Sequence, residues 1–154
     1  MPIAEIQRFL PPALEGAHVV IGSREVDGAS RFDEPPRRHV MGRVFNALVR
    51  NLLVPEIQDT QCGFKCFSAD AADAIFSRLT RVGFGFDVES LVIARRLGYR
   101  IDEIPISWYF DADSRVRMFR DSGGMMLDVL AIWWKERRGC YDRRPSASGP
   151  DDVS

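Results

Sequence analysis

The regular spacing of apolar residues between positions 41 and 53 is the feature that most restricts the fold. Apolar side chains recur there at intervals of three and four: Met41, Val44, Phe45, Leu48, Val49, Leu52 and Leu53. This period matches the turn of an α-helix and gives the helix one continuous apolar face. Pro55 ends the pattern, because proline cannot donate the next backbone hydrogen bond. The segment therefore predicts an amphipathic helix with one face directed towards a core.

Short apolar runs on both sides of this helix have the pattern of β-strands. Residues 18–22 predict a buried strand that ends at Gly22-Ser23-Arg24, and residues 64–67 predict a second strand. Residues 101–109 predict a third, in which Pro105 indicates an edge strand or a bulge. Further helices are predicted at residues 3–15, 69–79, 86–97 and 119–137. This alternation of helices and strands predicts an α/β fold.

The number of strands predicts an incomplete domain. Residues 24–37 are rich in Gly, Pro, Ser and charged residues and predict a loop, which leaves only three convincing strands. An average sheet has about five or six strands. We therefore expect residues 1–141 to be the C-terminal part of a larger domain. Residues 142–154, rich in Pro, Ser, Gly and Asp, predict a disordered tail.

Composition excludes several classes of protein. The formal net charge of −1 disfavours a nucleic-acid partner. Cys62, Cys66 and Cys140 are an odd number without a disulfide-framework spacing, which favours a reducing cytoplasm. A zinc site at the first two cysteines is disfavoured because only His18 and His39 could complete it. No apolar run reaches the roughly 20 residues of a membrane span, and no signal peptide is visible, so we expect a cytoplasmic protein.

One polar segment has the composition of a ligand-binding loop. A carboxylate, a hydroxyl and an amide precede a glycine and an aromatic strand in the run Asp59-Thr60-Gln61-Cys62-Gly63-Phe64-Lys65-Cys66-Phe67. Glycine allows the backbone to turn tightly and to approach a ligand closely. The segment therefore predicts a polar loop that faces a ligand and leads into a buried strand.

This segment is one of several blocks that carry a family resemblance over nearly the whole chain, to about Tyr141. The others are Val19-Val20-Ile21-Gly22-Ser23-Arg24, Gly42-Arg43-Val44-Phe45-Asn46, Phe86-Asp87-Val88-Glu89, Glu103-Ile104-Pro105-Ile106-Ser107-Trp108 and Ser114-Arg115. In this order they resemble the family 2 glycosyltransferases that use polyprenyl phosphates, the dolichyl-phosphate glucosyl- and mannosyltransferases. Gln61-Cys62-Gly63-Phe64 and Trp108 are more similar to the glucosyltransferase branch.

The resemblance implies a fold and a reaction. The fold would be the C-terminal half of a Rossmann-like GT-A domain that ends in a long amphipathic helix. The reaction would pass a hexose from a UDP- or GDP-sugar to a dolichyl or polyprenyl phosphate. Such a site must hold two anionic partners together and neutralise the leaving diphosphate. Arginines and a divalent metal, Mg²⁺ or Mn²⁺, suit that task.

The resemblance also implies the residues of an acceptor-phosphate site. Arg24 matches the family arginine that follows the strand. Arg38 matches the arginine that opens the next helix, and Arg37 is the alternative. Gly42 stands where the family often has a serine. Ser114 and Arg115 occupy the place of the family's Ser-Lys pair near the phosphates.

Three further residues are the catalytic candidates. Asp59 and Gln61 match the loop that faces the reacting sugar, and Asp87 lies beside it on a helix that also carries Glu89. Each carboxylate has a structural alternative: Asp59 as a turn former, and the other two as N-terminal helix charges. Trp108 is expected to pack in the core or sheet rather than to hold a sugar. No metal ligand is assigned.

The last predicted helix combines tryptophan with basic residues at its end. Trp133, Trp134, Lys135, Arg137 and Arg138 form a cluster after an apolar run. Indole rings favour the headgroup region and arginine attracts anionic lipid, so this cluster predicts peripheral contact with the inner face of a membrane. The alternative is a core helix whose apolar face packs on the sheet.

The nucleotide-binding part of the family is missing from this sequence. The family's Asp-x-Asp motif precedes a helix such as residues 3–15, where only Met1 and Pro2 stand here. We therefore expect this chain alone to bind a nucleotide sugar poorly or not at all. A gene start assigned too far downstream, a split gene or a decayed gene would each explain the missing part. The alternative function is a non-catalytic remnant or accessory module that binds a membrane or a partner.

Overall fold

The computed structural model describes residues 3–10, 15–110 and 118–142 of the chain and confirms an α/β fold. Its elements are a 3₁₀ helix (Ile3–Phe9), β1 (Val19–Ser23), β2 (Ser30–Phe32), α1 (Pro36–Leu52), β3 (Lys65–Phe67), α2 (Ala69–Phe76), α3 (Phe84–Arg96), β4 (Ile101–Pro105), β5 (Ser107–Tyr109) and α4 (Met118–Arg137).

Strand β1 is the centre of the main sheet. It pairs antiparallel with β3 and parallel with β4, so that Val20 lies opposite Cys66 on one side and Asp102 on the other. All five residues of β1 are buried, as expected for a continuous apolar strand covered on both faces. Because β1 lies between β3 and β4, Arg24, which directly follows β1, lies next to the ends of these two strands.

A second sheet occupies part of the segment that the sequence predicts as a loop. Residues 30–32 form β2, which pairs parallel with β5 and places Arg31 opposite Trp108. The predicted strand at residues 101–109 is divided between the two sheets at Ile106. The amide of Ile106 donates to Ser23 O (3.1 Å), and its carbonyl accepts from Ser30 N (3.1 Å). The described residues thus hold five strands, and the expectation of three was wrong.

Two predicted helices have bounds that differ most from the structure. Helix α1 begins at Pro36, ahead of the apolar pattern, because proline is well suited to the first turn of a helix. The segment predicted as a helix at residues 3–15 forms a 3₁₀ helix over Ile3–Phe9, and residues 11–14 lie outside the described part. Phe9 is buried and packs edge to face on Phe64, with ring centroids 4.3 Å apart.

Close packing at the end of β1 depends on Gly22. A Cβ atom at this position would lie 3.1 Å from Ile106 Cγ2 and 3.3 Å from Phe64 Cδ1. Such distances are tighter than ordinary van der Waals contacts, so a larger residue would push β1 away from its neighbours. Gly22 therefore sets the position of Ser23 and Arg24 relative to the residue that joins the two sheets.

Several sequence predictions fall on residues that the structure does not describe. Ser114 and Arg115 lie outside the described residues, as do residues 143–154 of the predicted tail. Asp142, the first residue of that tail, is described, and its carboxylate accepts from Arg96 Nε at 2.7 Å. None of the helices in the described ranges is long and apolar enough to cross a membrane.

Candidate functional site

A cavity of about 450 Å³ lies where β1 ends, between α1, α3, α4 and the loop that follows α1. Five of the seven predicted site residues line it: Arg24, Arg38, Asp59, Gln61 and Asp87. These residues come from four separate segments of the sequence. The open crevice beyond the carboxyl ends of parallel strands is a common ligand position in α/β folds. The fold thus brings the predicted residues together, although their roles stay predictions.

Arg24 and Asp59 form a two-pronged ion pair at the floor of the cavity. Arg24 Nε donates to Asp59 Oδ2 at 2.7 Å, and Arg24 Nη2 donates to Oδ1 at 2.8 Å. The backbone amide of Arg24 also donates to Oδ2 (2.9 Å), and the amide of Gln61 donates to Oδ1 (3.4 Å). Together these hydrogen bonds fix the plane of the Asp59 carboxylate, which in turn fixes the plane of the Arg24 guanidinium.

Burial and pairing act in opposite directions on the pKa values of this pair. Burial by itself raises the pKa of Asp59, but the hydrogen bonds and the charge of Arg24 outweigh it and hold that pKa below its ordinary value. Burial likewise opposes the charge on Arg24, yet Asp59 raises the pKa of Arg24 above its already high ordinary value. Both groups are therefore charged at neutral pH.

Two side chains without a predicted role in the site hold the loop around Asp59. Glu103 of β4 accepts from the amides of Gln58 (2.7 Å) and Asp59 (2.9 Å). Asn46 of α1 accepts from the amide and the hydroxyl of Thr60 at 3.0 and 2.8 Å. The sequence held one signal for Asn46, because it is a polar residue next to the apolar stripe of an amphipathic helix.

Asp87 and Glu89 separate into different environments although they are neighbours in the sequence. Asp87 lines the cavity and accepts from Lys65 Nζ at 2.7 Å. Glu89 is fully buried and accepts from Thr80, Arg81 and Tyr141 instead. Lys65, whose side chain is almost completely buried, was not predicted as part of the site, and the sequence offered no signal for its pairing.

The wall of the cavity opposite the ion pair is largely apolar. Helix α1 contributes Val40 and Val44, which are 59% and 66% exposed, and α4 contributes Met125 and Met126. Arg38 stands at this boundary, with its Cζ atom 4.9 Å from the centroid of the Phe110 ring. The cavity therefore combines a charged floor with an apolar wall, which suits an amphiphile that has an anionic headgroup.

Trp108 also lines the cavity, although its predicted place is the core or the sheet. It lies on β5, and the Cζ atom of Arg24 is 5.5 Å from the centroid of its ring. A guanidinium over an indole is favourable, since the face of the ring carries a partial negative charge. Trp108 thus supports the guanidinium of Arg24, and Trp108 is itself partly exposed.

The carboxylates of the cavity are already matched by cations. Asp59 pairs with Arg24, and Asp87 pairs with Lys65. Glu25 and Glu34 both pair with Arg31, and Glu34 also contacts His39. Among the described residues no group of three His, Cys, Asp or Glu side chains is placed to hold a metal ion. The described carboxylates therefore do not fit a divalent metal.

Helix α4 separates the cluster of basic and tryptophan residues near its end. Trp133 packs against the core, whereas Trp134 is half exposed. Lys135 donates from Nζ to the hydroxyl of Thr80. The guanidiniums of Arg137 and Arg138 lie over the rings of Trp133 and Trp134, respectively. The five residues thus do not share one exposed surface, and only part of the predicted membrane cluster is available to a membrane.

Known proteins with similar sequences carry glycosyltransferase names. The chain is 39% identical over 103 residues to glycosyltransferase AglD of Haloferax volcanii, a match that covers 67% of this chain and 16% of that protein. It is 37% identical over 125 residues to the dolichyl-phosphate beta-glucosyltransferase of Saccharomyces cerevisiae, covering 80% of this chain and 37% of the yeast protein. The human protein of that name is 47% identical over 97 residues, covering 63% of this chain and 30% of the human protein.

No family model matches the chain. The chain spans well under half the length of these curated relatives. Their names agree with the resemblance carried by the sequence blocks, and each block within the described residues contributes at least one residue to the lining of the cavity. The chain belongs to the family 2 glycosyltransferases of the dolichyl-phosphate type.

Proposed function

We propose that this chain forms the acceptor side of an enzyme that transfers a hexose, glucose by the names of its relatives, from a nucleotide sugar to a dolichyl or polyprenyl phosphate. The observation that carries the proposal is the cavity in which Arg24 and Arg38 face an apolar wall. A polyprenyl phosphate has a matching division, with an anionic headgroup on an apolar chain. The proteins named dolichyl-phosphate beta-glucosyltransferase supply independent support.

Arg24 is suited to bind the acceptor phosphate through the part of its guanidinium that Asp59 leaves open. Asp59 uses Nε and one hydrogen of Nη2. Within residues 3–10, 15–110 and 118–142, no acceptor takes the hydrogens of Nη1. The edge between Nη1 and Nη2 can donate two parallel hydrogen bonds to phosphate oxygens. Arg38 would add a second positive charge beside the apolar wall.

The chemistry assigns Asp59 an indirect part in this reaction. An acceptor phosphate is ionised at neutral pH, so its attack on the sugar needs little help from a general base. Asp59 then acts through Arg24, which it holds in place. Gln61 and Asp87 line the same cavity and would face the sugar. The assignment of Ser114 and Arg115 to the acceptor-phosphate site remains a prediction.

The donor half of the reaction rests on the family alone. A UDP- or GDP-hexose and a Mg²⁺ or Mn²⁺ ion are what the family implies. The described carboxylates Asp59 and Asp87 are bound to Arg24 and Lys65, so neither is offered to a metal here. We therefore assign no step to the metal on this chain.

Calorimetric titration with farnesyl phosphate tests the acceptor site. We expect the chain to bind this probe and not farnesol, which has the same apolar chain without the phosphate. Arg24→Lys should weaken binding by about tenfold, because lysine keeps the charge but loses the fork. Arg100→Ala is the matched control, since Arg100 is exposed and pairs with Asp102 away from the cavity. Equal affinity for farnesol, or for the Arg24→Lys variant, would refute the phosphate site.

A non-catalytic module that docks on a membrane is the second candidate function. Leu127, Leu130 and Trp134 are all exposed and follow one face of α4 at helical spacing. Arg138 lies over the Trp134 ring, with its Cζ atom 3.5 Å from the centroid. This arrangement places apolar side chains and a cation on one surface, as in helices that lie in the membrane interface.

Sedimentation with lipid vesicles tests this candidate. We expect binding to vesicles that contain phosphatidylglycerol and weaker binding to phosphatidylcholine alone, because arginine attracts anionic lipid. Leu130→Glu should release the chain from the vesicles. Ala47→Glu is the control, since Ala47 is exposed on a different helix. Equal sedimentation of Leu130→Glu and the unchanged chain would exclude α4 as the docking surface. The cytoplasmic location stays a prediction.

A further inference from the structure

We propose that Glu103 is a positioning residue of the phosphate site: it holds the backbone at Asp59 so that Asp59 can orient Arg24. The inference rests on the proposed function, in which Arg24 binds the acceptor phosphate. Glu103 lies on β4 and is not among the residues that line the cavity. It therefore acts at one remove from any ligand.

Both oxygens of Glu103 are engaged by one short stretch of backbone. Oε2 accepts from the amide of Gln58 at 2.7 Å, and Oε1 accepts from the amide of Asp59 at 2.9 Å. Hydrogen bonds to an ionised acceptor are about twice as strong as neutral ones. Two of them, on the consecutive amides of Gln58 and Asp59, fix the position and the orientation of the backbone between these residues.

The contact continues without a gap from Glu103 to Arg24. Asp59, whose amide Glu103 holds, binds the guanidinium and the backbone amide of Arg24 with its own carboxylate. Strands β4 and β1 are neighbours, with Glu103 opposite Ile21, so the two ends of this chain of contacts rest on one sheet. The loop that carries Asp59 is therefore held in place by its hydrogen bonds to the sheet.

Asn46 holds the other side of the same loop, and its chemistry differs from that of Glu103. Its amide group donates to the Gln58 carbonyl and accepts from Thr60. A glutamine at position 103 could not accept from both amides, because its side chain has only one acceptor oxygen. Its NH₂ group would face the other amide donor. Position 103 therefore requires a carboxylate to hold two amides at once.

The test compares Glu103→Gln with Asp102→Asn on the same strand. Asp102 is the matched control, since its carboxylate binds only the exposed Arg100 among the described residues. The first readout is the ¹⁵N–¹H NMR signal of Arg24 Nε, assigned by its disappearance in Arg24→Lys. We expect Glu103→Gln to shift or broaden this signal, and Asp102→Asn to leave it unchanged.

The second readout is the affinity for farnesyl phosphate. We expect Glu103→Gln to bind the probe about tenfold more weakly, as for the loss of one charged hydrogen bond. Glu103→Asp keeps the charge but is one methylene shorter, and we expect an intermediate loss. Asp102→Asn should bind as the unchanged chain does.

The outcomes separate this inference from the proposed function. An unchanged Arg24 signal and unchanged affinity in Glu103→Gln would overturn the positioning role, while the phosphate site itself would stand. Loss of the folded state in Glu103→Gln would also overturn it, because Glu103 would then serve stability and not the site. If no variant or unchanged chain binds farnesyl phosphate, the proposed function fails, and the Arg24 signal still decides whether Glu103 positions that side chain.

Discussion

Asp59 and Glu89 are both buried carboxylates, and the contrast between them separates a site from a scaffold. Asp59 is 1% exposed and Glu89 is 0% exposed. Asp59 binds the guanidinium of Arg24, which lines the cavity. Glu89 binds the amide and the hydroxyl of Thr80, the amide of Arg81 and the hydroxyl of Tyr141. Both carboxylates are thus supplied with hydrogen-bond donors.

The partner of a buried carboxylate indicates its role more clearly than the degree of burial does. The donors to Glu89 lie in the loop after α2 and in the turn after α4. Their hydrogen bonds connect both of these segments to α3. The principal partner of Asp59 is the guanidinium of Arg24, whose Nη1–Nη2 edge is not used by Asp59. Glu89 therefore stabilises the packing of helices, while Asp59 shapes a surface that a ligand can reach.

Removal of Arg24 is expected to have the largest effect and would test the comparison most directly. Arg24→Ala leaves Asp59 charged and buried, so the free energy of unfolding should fall by about 3 kcal/mol, the lower end for a broken buried pair because Arg24 keeps some exposure. Farnesyl phosphate binding should also be lost. Urea denaturation and calorimetry measure the two effects. Arg100→Ala, at an exposed position, should leave the free energy of unfolding nearly unchanged.

Replacement of Glu89 is expected to reduce stability and leave binding intact. Glu89→Gln keeps the shape but turns an NH₂ group towards donors such as Thr80, so the free energy of unfolding should fall by about 2 kcal/mol. Tyr141→Phe removes one of the donors and should lower it by about 1 kcal/mol. Affinity for farnesyl phosphate should be unchanged in both. A loss of affinity in the folded Glu89→Gln protein would erase the distinction between the two carboxylates.

Acid should weaken the Asp59 region as its carboxylate becomes protonated. The folded-state pKa of Asp59 is below its ordinary value, so the stabilisation is complete above the unfolded value of about 3.9 and is lost as the pH falls through the folded-state pKa. Denaturation at a series of pH values should show this loss. Asp59→Asn should have a shallower dependence in the same pH range. Equal slopes for the two proteins would contradict the assignment of the pKa shift.

The smallest expected effect comes from a hydroxyl added to the cavity at Gly42. A Cβ atom at this position meets no atom within 4 Å, and Gly42 lies within α1. Gly42→Ser should raise the free energy of unfolding by roughly 0.5 kcal/mol through helix propensity. It should also raise the affinity for farnesyl phosphate about threefold through one added hydrogen bond. Ala47→Ser, on an exposed position of the same helix, should leave the affinity unchanged; a weaker affinity in Gly42→Ser would refute the added contact.

Local patterns in the sequence predicted most elements of the fold but not the second sheet. The apolar run of β1 and the helical spacing of α1 both form as expected. Strand β2 has three residues and no apolar alternation, and its partner β5 lies far away in the sequence. Such pairing is set by the path of the chain between the two strands. A local pattern carries no information about it.

The candidate site shows the same division. Arg24, Arg38, Asp59, Gln61 and Asp87 were predicted from the family resemblance, and they line one cavity. Glu103, Asn46 and Lys65 were not predicted to hold them. Asp59 lies 35 residues from Arg24 and 44 from Glu103 in the sequence, so neither contact is visible as a local motif.

Residue types and their order were sufficient to predict the α/β class, the family and the candidate residues. Tertiary structure decided which carboxylate serves the cavity and which serves the core. Asp87 and Glu89 are two positions apart on one helix, and the turn of that helix directs them to different surroundings. Tertiary structure also gave Asp59 its partner. The ion pair with Arg24 exists because sheet pairing brings the end of β1 beside the loop that β4 and α1 hold.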